Sequence, residues 1–161
     1  MTEFKTNNFI FFRFNPTNDN EMEAVNTLLN DRYVQKYLGN VDIRDFLLAS
    51  RDDDEISDSS FLVGFNDEIV GYLSTFSGLD AIDLDYAVLP QFRGKKVNER
   101  DTYGALMIKE ASSELFRRYA YVKFLRVYIN ESNVLSLEMA KKVGFEVVRD
   151  GFSPYELHMK R

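Results

Sequence analysis

A strand-like run over residues 81–89 passes through Pro90-Gln91-Phe92-Arg93-Gly94-Lys95-Lys96-Val97-Asn98 into a long helix-like run, and no other passage constrains the fold as strongly. Proline stops the strand, a glycine-containing basic loop follows, and the helix beyond it begins with unpaired backbone N–H groups. A strand, loop and helix in this order belong to an α/β layer structure. The loop also gathers N–H donors with the cations Arg93, Lys95 and Lys96 in one small volume, which is a physical recipe for holding phosphates. In a chain of formal charge −6 these cations are a local reversal of sign. A solvated basic turn is the plainer reading of the same residues.

Periodicity supplies the rest of the architecture. Residues 9–14 read as a buried strand stopped by Asn15-Pro16. Met22, Val25, Leu28 and Leu29 recur at helical spacing over residues 20–30, and Tyr33, Val34 and Tyr37 mark a second short helix. Asp42 caps a third, which carries Phe46, Leu47 and Leu48. Two runs, 61–65 and 69–76, flank Asn66-Asp67 as a hairpin, and residues 81–89 follow in series. Tyr103, Leu106, Met107, Ala111, Leu115 and Tyr119 define one amphipathic helix over about 100–119. A strand over 123–129, a helix over 134–143 closed by Gly144, and two strands around 146–149 and 154–159 complete the chain. The expected structure is a single α/β (α+β) domain over residues 1–161, with seven strands in a mixed sheet.

Composition narrows the function. At 161 residues, 45% hydrophobic, the chain can bury one substantial core and lies outside the disordered class. The absence of cysteine excludes disulfides, zinc–thiolate sites and a cysteine nucleophile. No His/Asp/Glu group has metal-ligand spacing, so no metal is expected. No apolar run approaches 18 residues and no signal-type N-terminus is present, so the expectation is a cytoplasmic protein that does not bind membranes. A sequence pI of 4.9 argues against broad nucleic-acid binding. Arg51-Asp52-Asp53-Asp54-Glu55, the densest acidic cluster, reads as a solvated loop, with steering of a cationic substrate as the alternative. Gly-x4-Gly-Lys-Ser/Thr is missing, which weakens a nucleotide hydrolase.

Val88-x-Pro90-x-x-Arg93-Gly94, then Gly104-Ala105-Leu106-Met107, then Asn133-x-x-Ser136-x-x-Met139-Ala140-x-Lys142-x-Gly144-Phe145 resembles the Gcn5-related N-acetyltransferases (GNAT). The likeness covers roughly residues 80–149 and is strongest with the ribosomal-protein N-terminal acetyltransferase branch. It implies a mostly antiparallel sheet splayed between its fourth and fifth strands, with the pantetheine arm of acetyl-CoA in the gap. It implies acetyl transfer to a primary amine, on a protein N-terminus or a small molecule, by direct attack in a ternary complex. The loop departs from the family pattern: the two small positions fall on Lys96 and Asn98, and about five extra residues precede the helix. A catalytically silent acyl-CoA-binding regulatory module on the same fold is the alternative.

Site residues follow with the same status. The resemblance implies that backbone N–H groups from Arg93 through Gly94, Lys95, Lys96 and Val97 to Asn98 cradle the pyrophosphate, with Arg93 adding a charge-assisted contact. A strand N–H near Val88 would stabilise the carbonyl oxygen, and Asn133 would cap its helix and bind the pantetheine arm. Asp83 and Asp85, two apart in a strand, share a face, so each raises the other's pKa and either is a candidate base. Relatives often carry a tyrosine general acid where this chain has Ala140, which leaves Ser136 as the candidate near the sulfur. Solvation or turn capping is the plainer role for the two aspartates, a helix-surface or capping serine is the plainer reading of Ser136, and His158 reads as an ordinary strand histidine. Tyr33, Tyr37, Phe76, Phe152 and Tyr155 would wall the acceptor side if they are not core. Edge pairing of the last strands would support a homodimer.

Overall fold

The computed structural model describes residues 3–38, 42–49, 56 and 58–161. The acidic cluster over residues 51–55 lies outside the described residues. In chain order the elements are β1 (Glu3–Lys5), β2 (Ile10–Phe12), α1 (Asp19–Asn30), α2 (Arg32–Leu38), α3 (Ile43–Ala49), β3 (Ser60–Phe65), β4 (Glu68–Ser77) and β5 (Ala81–Val88). They continue with α4 (Tyr103–Arg118), β6 (Phe124–Ile129), α5 (Val134–Val143), β7 (Glu146–Arg149) and β8 (Tyr155–Lys160).

One sheet holds the strands in the order β1-β2-β3-β4-β5-β6-β8-β7. It has eight strands, not seven. The extra strand, β1, has a single inward residue, Phe4, which stacks on Phe11 with ring centroids 4.3 Å apart. Three residues are too few to leave a readable alternation, so its partner strand defines it. Every neighbouring pair is antiparallel except β5 and β6. At the C-terminal end of the sheet the free edge belongs to β7, since β8 lies between β6 and β7.

Local chemistry explains most boundaries. Asn66 and Asp67 both hold positive φ (47° and 64°), as a two-residue hairpin turn with the right twist requires, and Asn and Asp tolerate that region. Asn18 caps α1, Thr102 caps α4 and Asn133 caps α5, each accepting a backbone N–H three residues on. Gly144 closes α5 at φ 119°.

The sheet separates two apolar layers. Phe9, Phe11, Val63, Leu73, Ile82 and Leu84 pack with Met107, Ala111 and Leu115 of α4 and with Leu137 and Ala140 of α5. On the other face Leu62, Tyr72, Ala87 and Leu89 pack with Val25 and Leu28 of α1, Val34 of α2, and Ile43 and Leu47 of α3. Gly71 allows β4 to lie close to β5, because a Cβ there would sit 2.5 Å from the Ala87 carbonyl oxygen. Among the described residues no helix is long and apolar enough to cross a membrane.

Candidate active site

Strands β5 and β6 pair in parallel at Ala81↔Phe124, Ile82↔Leu125 and Asp83↔Arg126, and there the pairing stops. The sheet therefore splays between its fifth and sixth strands, which are the fourth and fifth once β1 is set aside. Beyond Asp83 the two strands bound a cavity of about 260 Å³, lined by residues 84–88 and 127–130 and closed by Tyr33 and Tyr37 of α2, the start of α4, and α5.

Backbone register determines what β5 presents to this cleft. Leu89 N–H donates to the Val70 carbonyl at 2.8 Å, which makes Gly71↔Val88 a non-hydrogen-bonded pair of the antiparallel ladder. By alternation Leu73↔Tyr86 is another. The N–H and C=O groups of Tyr86 and Val88 thus point away from β4 and into the gap, where an extended ligand can pair with them as a strand would.

Asp83 and Asp85 do share a face, yet they sit in different surroundings. Asp83 takes two hydrogen bonds from Arg126, Nε at 2.8 Å and Nη2 at 3.0 Å, and does not line the cleft. Asp85 does line it, next to the point where the strands part. Burial raises its carboxyl above the ordinary range, and the Asp83 charge adds to the shift.

Tyr86 projects to the opposite face, and its hydroxyl lies 3.1 Å from Ser136 Oγ. Burial pushes this phenol up to about 12. Asn133 Oδ1 caps α5 by accepting the Ser136 N–H at 3.3 Å, and it also accepts the Tyr33 hydroxyl at 2.6 Å. The Tyr37 hydroxyl donates to the Ser132 carbonyl at 3.3 Å, so two tyrosines of α2 tie that helix to the start of α5 across the cleft.

The loop after β5 divides in two. Its first part turns tightly, with Gly94 at φ 74°, a conformation that favours glycine. Its second part is a small excursion closed by a bridge between Lys96 and Thr102, with Val97 N–H on Asp101 C=O at 2.9 Å and Tyr103 N–H on Lys95 C=O at 3.2 Å. Asn98 stabilises the excursion from within, its Oδ1 accepting from Arg100 N–H and Asp101 N–H, both at 2.8 Å. Residues 97–101 are therefore looped out, and α4 begins just after Thr102. The small residue at the helix start is Gly104, whose missing Cβ would lie 3.2 Å from Val88 Cγ2. The N–H groups of Gly94, Lys96 and Gly104 have no acceptor among the described residues.

Arg93, Gly94, Val88, Asp85, Asn133 and Ser136 line the cleft, while Asp83, Lys95, Lys96, Val97 and Asn98 do not. The Arg93 guanidinium is already engaged: it pairs with Asp31, donates to the Val88 carbonyl at 3.0 Å and stacks over the Tyr33 ring at 4.2 Å. Lys142 lines the cleft and donates to the Arg100 carbonyl, which pins α5 to the excursion. Sequence reasoning missed Asp31, Tyr86 and Thr102 as neighbours of the site, and it placed Tyr33 only in a generic aromatic wall. Of that wall, Tyr33 and Tyr37 line the cleft, Phe76 packs on Phe46 at 5.5 Å, and Phe152 is exposed. His158 stacks on Phe124 and bonds to Glu156 at 2.6 Å, away from the cleft. Among the described residues no His/Cys/Asp/Glu group is arranged to hold a metal.

No family model and no curated protein matches the chain. Solved structures do. A GNAT-family acetyltransferase from Bacillus anthracis superposes with a TM-score of 0.73 at 16% identity, covering 97% of this chain and 95% of that one. The acetyl transferase from Salmonella typhimurium that modifies the N-terminal serine of 50S ribosomal subunit protein L7/L12 gives 0.72 at 12% identity, over 97% and 96% of the two chains. The Campylobacter jejuni N-acetyltransferase PseH, in complex with acetyl coenzyme A, gives 0.65 at 18% identity, over 95% and 99%. A splayed parallel pair joined through a glycine loop and a helix, in a chain that superposes on these enzymes over nearly its whole length, is the fold of the Gcn5-related N-acetyltransferases.

Proposed function

We propose that this protein is an N-acetyltransferase that moves the acetyl group of acetyl-CoA to a primary amine by direct attack in a ternary complex. The observation that carries the reading is the early end of the β5–β6 pairing, which leaves a cleft with a free backbone edge on β5 and the Asp85 carboxyl at its closed end. The pantetheine arm pairs with that edge at Val88, which leaves the Tyr86 N–H to polarise the thioester carbonyl one ladder step deeper. The pyrophosphate lies against the N–H groups of Gly94, Lys96 and Gly104 at the start of α4, within reach of Arg93, Lys95 and Lys96. Asn133 borders the pantetheine arm.

Asp85 accepts the proton of the attacking amine. Its raised carboxyl pKa brings it closer to neutrality than an exposed aspartate, as a general base requires. Asp83 serves as its charged neighbour and as the anchor of Arg126. Ser136 stands on the other wall, within hydrogen-bond distance of Tyr86. A protein N-terminus is one acceptor class, supported by the Salmonella neighbour, and small-molecule amines are the other.

Thiol release from acetyl-CoA, measured against a panel of peptide N-termini and small primary amines, tests the proposal. At least one acceptor should raise release well above the hydrolysis background. Tight acetyl-CoA binding with no acceptor in any class would favour the silent binding module instead, a reading to which Ala140 and the prior engagement of Arg93 lend support.

A further inference from the structure

We infer that Tyr86, a residue of the sheet itself, is the general acid that protonates the departing CoA thiolate, with Ser136 holding its hydroxyl in place. The inference rests on the N-acetyltransferase reading and assigns it a proton donor that α5 does not supply, since α5 has no ionisable hydroxyl at Ala140.

Consecutive residues of a strand project to opposite faces of the sheet. Asp85 and Tyr86 are consecutive, both line the cleft, and both lie just past the last β5–β6 pair at Asp83↔Arg126. A thioester lying along the β5 edge at this point has the carboxylate on one side of the sheet plane and the phenol on the other. Direct displacement has the same demand: the amine approaches the carbonyl carbon from one side and the sulfur departs on another, so base and acid belong on opposite sides of the reacting carbon.

The second observation is the anchoring of the hydroxyl. Tyr86 Oη and Ser136 Oγ are 3.1 Å apart, and Ser136 stands in the first turn of α5, where its N–H bonds to Asn133 Oδ1 at 3.3 Å. Asn133 is itself held by the Tyr33 hydroxyl at 2.6 Å. A chain of side chains from α2 and α5 therefore fixes the phenol at the cleft wall. The phenol keeps its proton at neutral pH, so it is a donor when the sulfur leaves.

The step balances. The amine nitrogen forms a bond to the carbonyl carbon and its proton passes to Asp85. The carbon–sulfur bond breaks with its electron pair on sulfur, and the Tyr86 proton moves to sulfur to give the thiol. Asp85 then loses its proton to solvent, and the phenolate regains one from solvent by way of the Ser136 hydroxyl.

The test compares two donors in the full-length protein. With acetyl-CoA, Tyr86→Phe should lower kcat roughly 10²-fold, in the range typical of a lost general acid, while acetyl-CoA affinity stays within about threefold. Ser136→Ala should lower kcat less, because the phenol remains. With 4-nitrophenyl thioacetate, whose thiolate leaves without a proton, Tyr86→Phe should match the wild type. A phenol that only shapes the cleft would cost activity equally with both donors, and that result overturns the assignment. Tyr86→Phe at full activity with acetyl-CoA overturns it too, and a larger loss in Ser136→Ala moves the donor to the serine. A wild type that transfers from neither donor to any amine overturns the acetyltransferase reading beneath it, an outcome distinct from the others.

Discussion

The two walls of the cleft are built in opposite ways. The β5 wall offers backbone: Tyr86 and Val88 turn their N–H and C=O groups into the gap because antiparallel pairing with β4 does not use them. The α2 wall and Arg93 offer side chains that are already satisfied by one another, with Arg93 on Asp31, Tyr33 on Asn133 and Tyr37 on Ser132. A ligand can add to the first wall through the Tyr86 N–H and C=O and the Val88 N–H at no cost in broken bonds, although the Val88 carbonyl already accepts from Arg93 at 3.0 Å. To recruit the Arg93 charge it must first displace a carboxylate. The backbone edge is thus the constant part of the site, and the guanidinium is the part whose contribution is reduced by what it leaves behind.

The largest effect expected from breaking this contrast lies at the closed end of the β5 wall. Asp85→Asn should lower kcat by roughly 10²–10⁴-fold with little change in acetyl-CoA affinity. It should also raise Tm at neutral pH. The folded-state pKa of Asp85 lies above its unfolded value, so the folded protein binds this proton more tightly. The stability it contributes is complete below the unfolded carboxylate pKa and is lost as pH rises through the folded one. The asparagine removes that loss, so a thermal melt of the variant should show a weaker decline with rising pH across this window. A variant that loses both activity and stability would make Asp85 a structural residue.

Next in size is the rigidity of the same wall. Gly71→Ala places a Cβ 2.5 Å from the Ala87 carbonyl oxygen, which forces β4 from β5 and should cost about 1–3 kcal/mol in chemical denaturation. Unchanged stability would mean that the β5 edge is soft and the contrast between the walls is overdrawn.

The α2 wall gives a smaller, signed effect. Arg93→Ala should weaken acetyl-CoA binding about tenfold, or about 1.4 kcal/mol, whereas Asp31→Asn, by releasing the guanidinium, should strengthen it by a few-fold. Calorimetry on the two variants separates these. If both weaken binding alike, the Arg93–Asp31 pair is needed intact and the guanidinium does not reach the phosphates. The smallest effect belongs to Lys95 and Lys96, which are exposed. Replacing both with alanine should chiefly flatten the salt dependence of binding.

What the sequence disclosed follows the same division. Features written within a few residues were legible: the Asn66-Asp67 turn, the Asn133 cap, the Gly144 stop and the strand leading into Arg93-Gly94 each have a local cause. Features made by distant contacts were not. Asp31 and Arg93 are 62 positions apart, and nothing near either residue predicts their pairing. Tyr86 and Ser136 are 50 apart, and nothing near the tyrosine marks it as part of the site. The bridge from Lys96 to Thr102 hid in the same way: by spacing the two small positions fall on Lys96 and Asn98, and only the fold shows Gly104 packed against the end of β5. Asp83 and Asp85 were equivalent by spacing, and only Arg126, across the sheet, separates their roles.

The central claim is that acetyl-CoA binds as an added strand on the open edge of β5. Amide-resolved hydrogen exchange by NMR, with and without acetyl-CoA, tests it most directly. The N–H groups of Tyr86 and Val88 should exchange faster than those of Asp85 and Ala87, which the β4 ladder uses, and acetyl-CoA should slow the first pair selectively. Exchange at Tyr86 and Val88 that is unchanged by saturating acetyl-CoA would contradict the account.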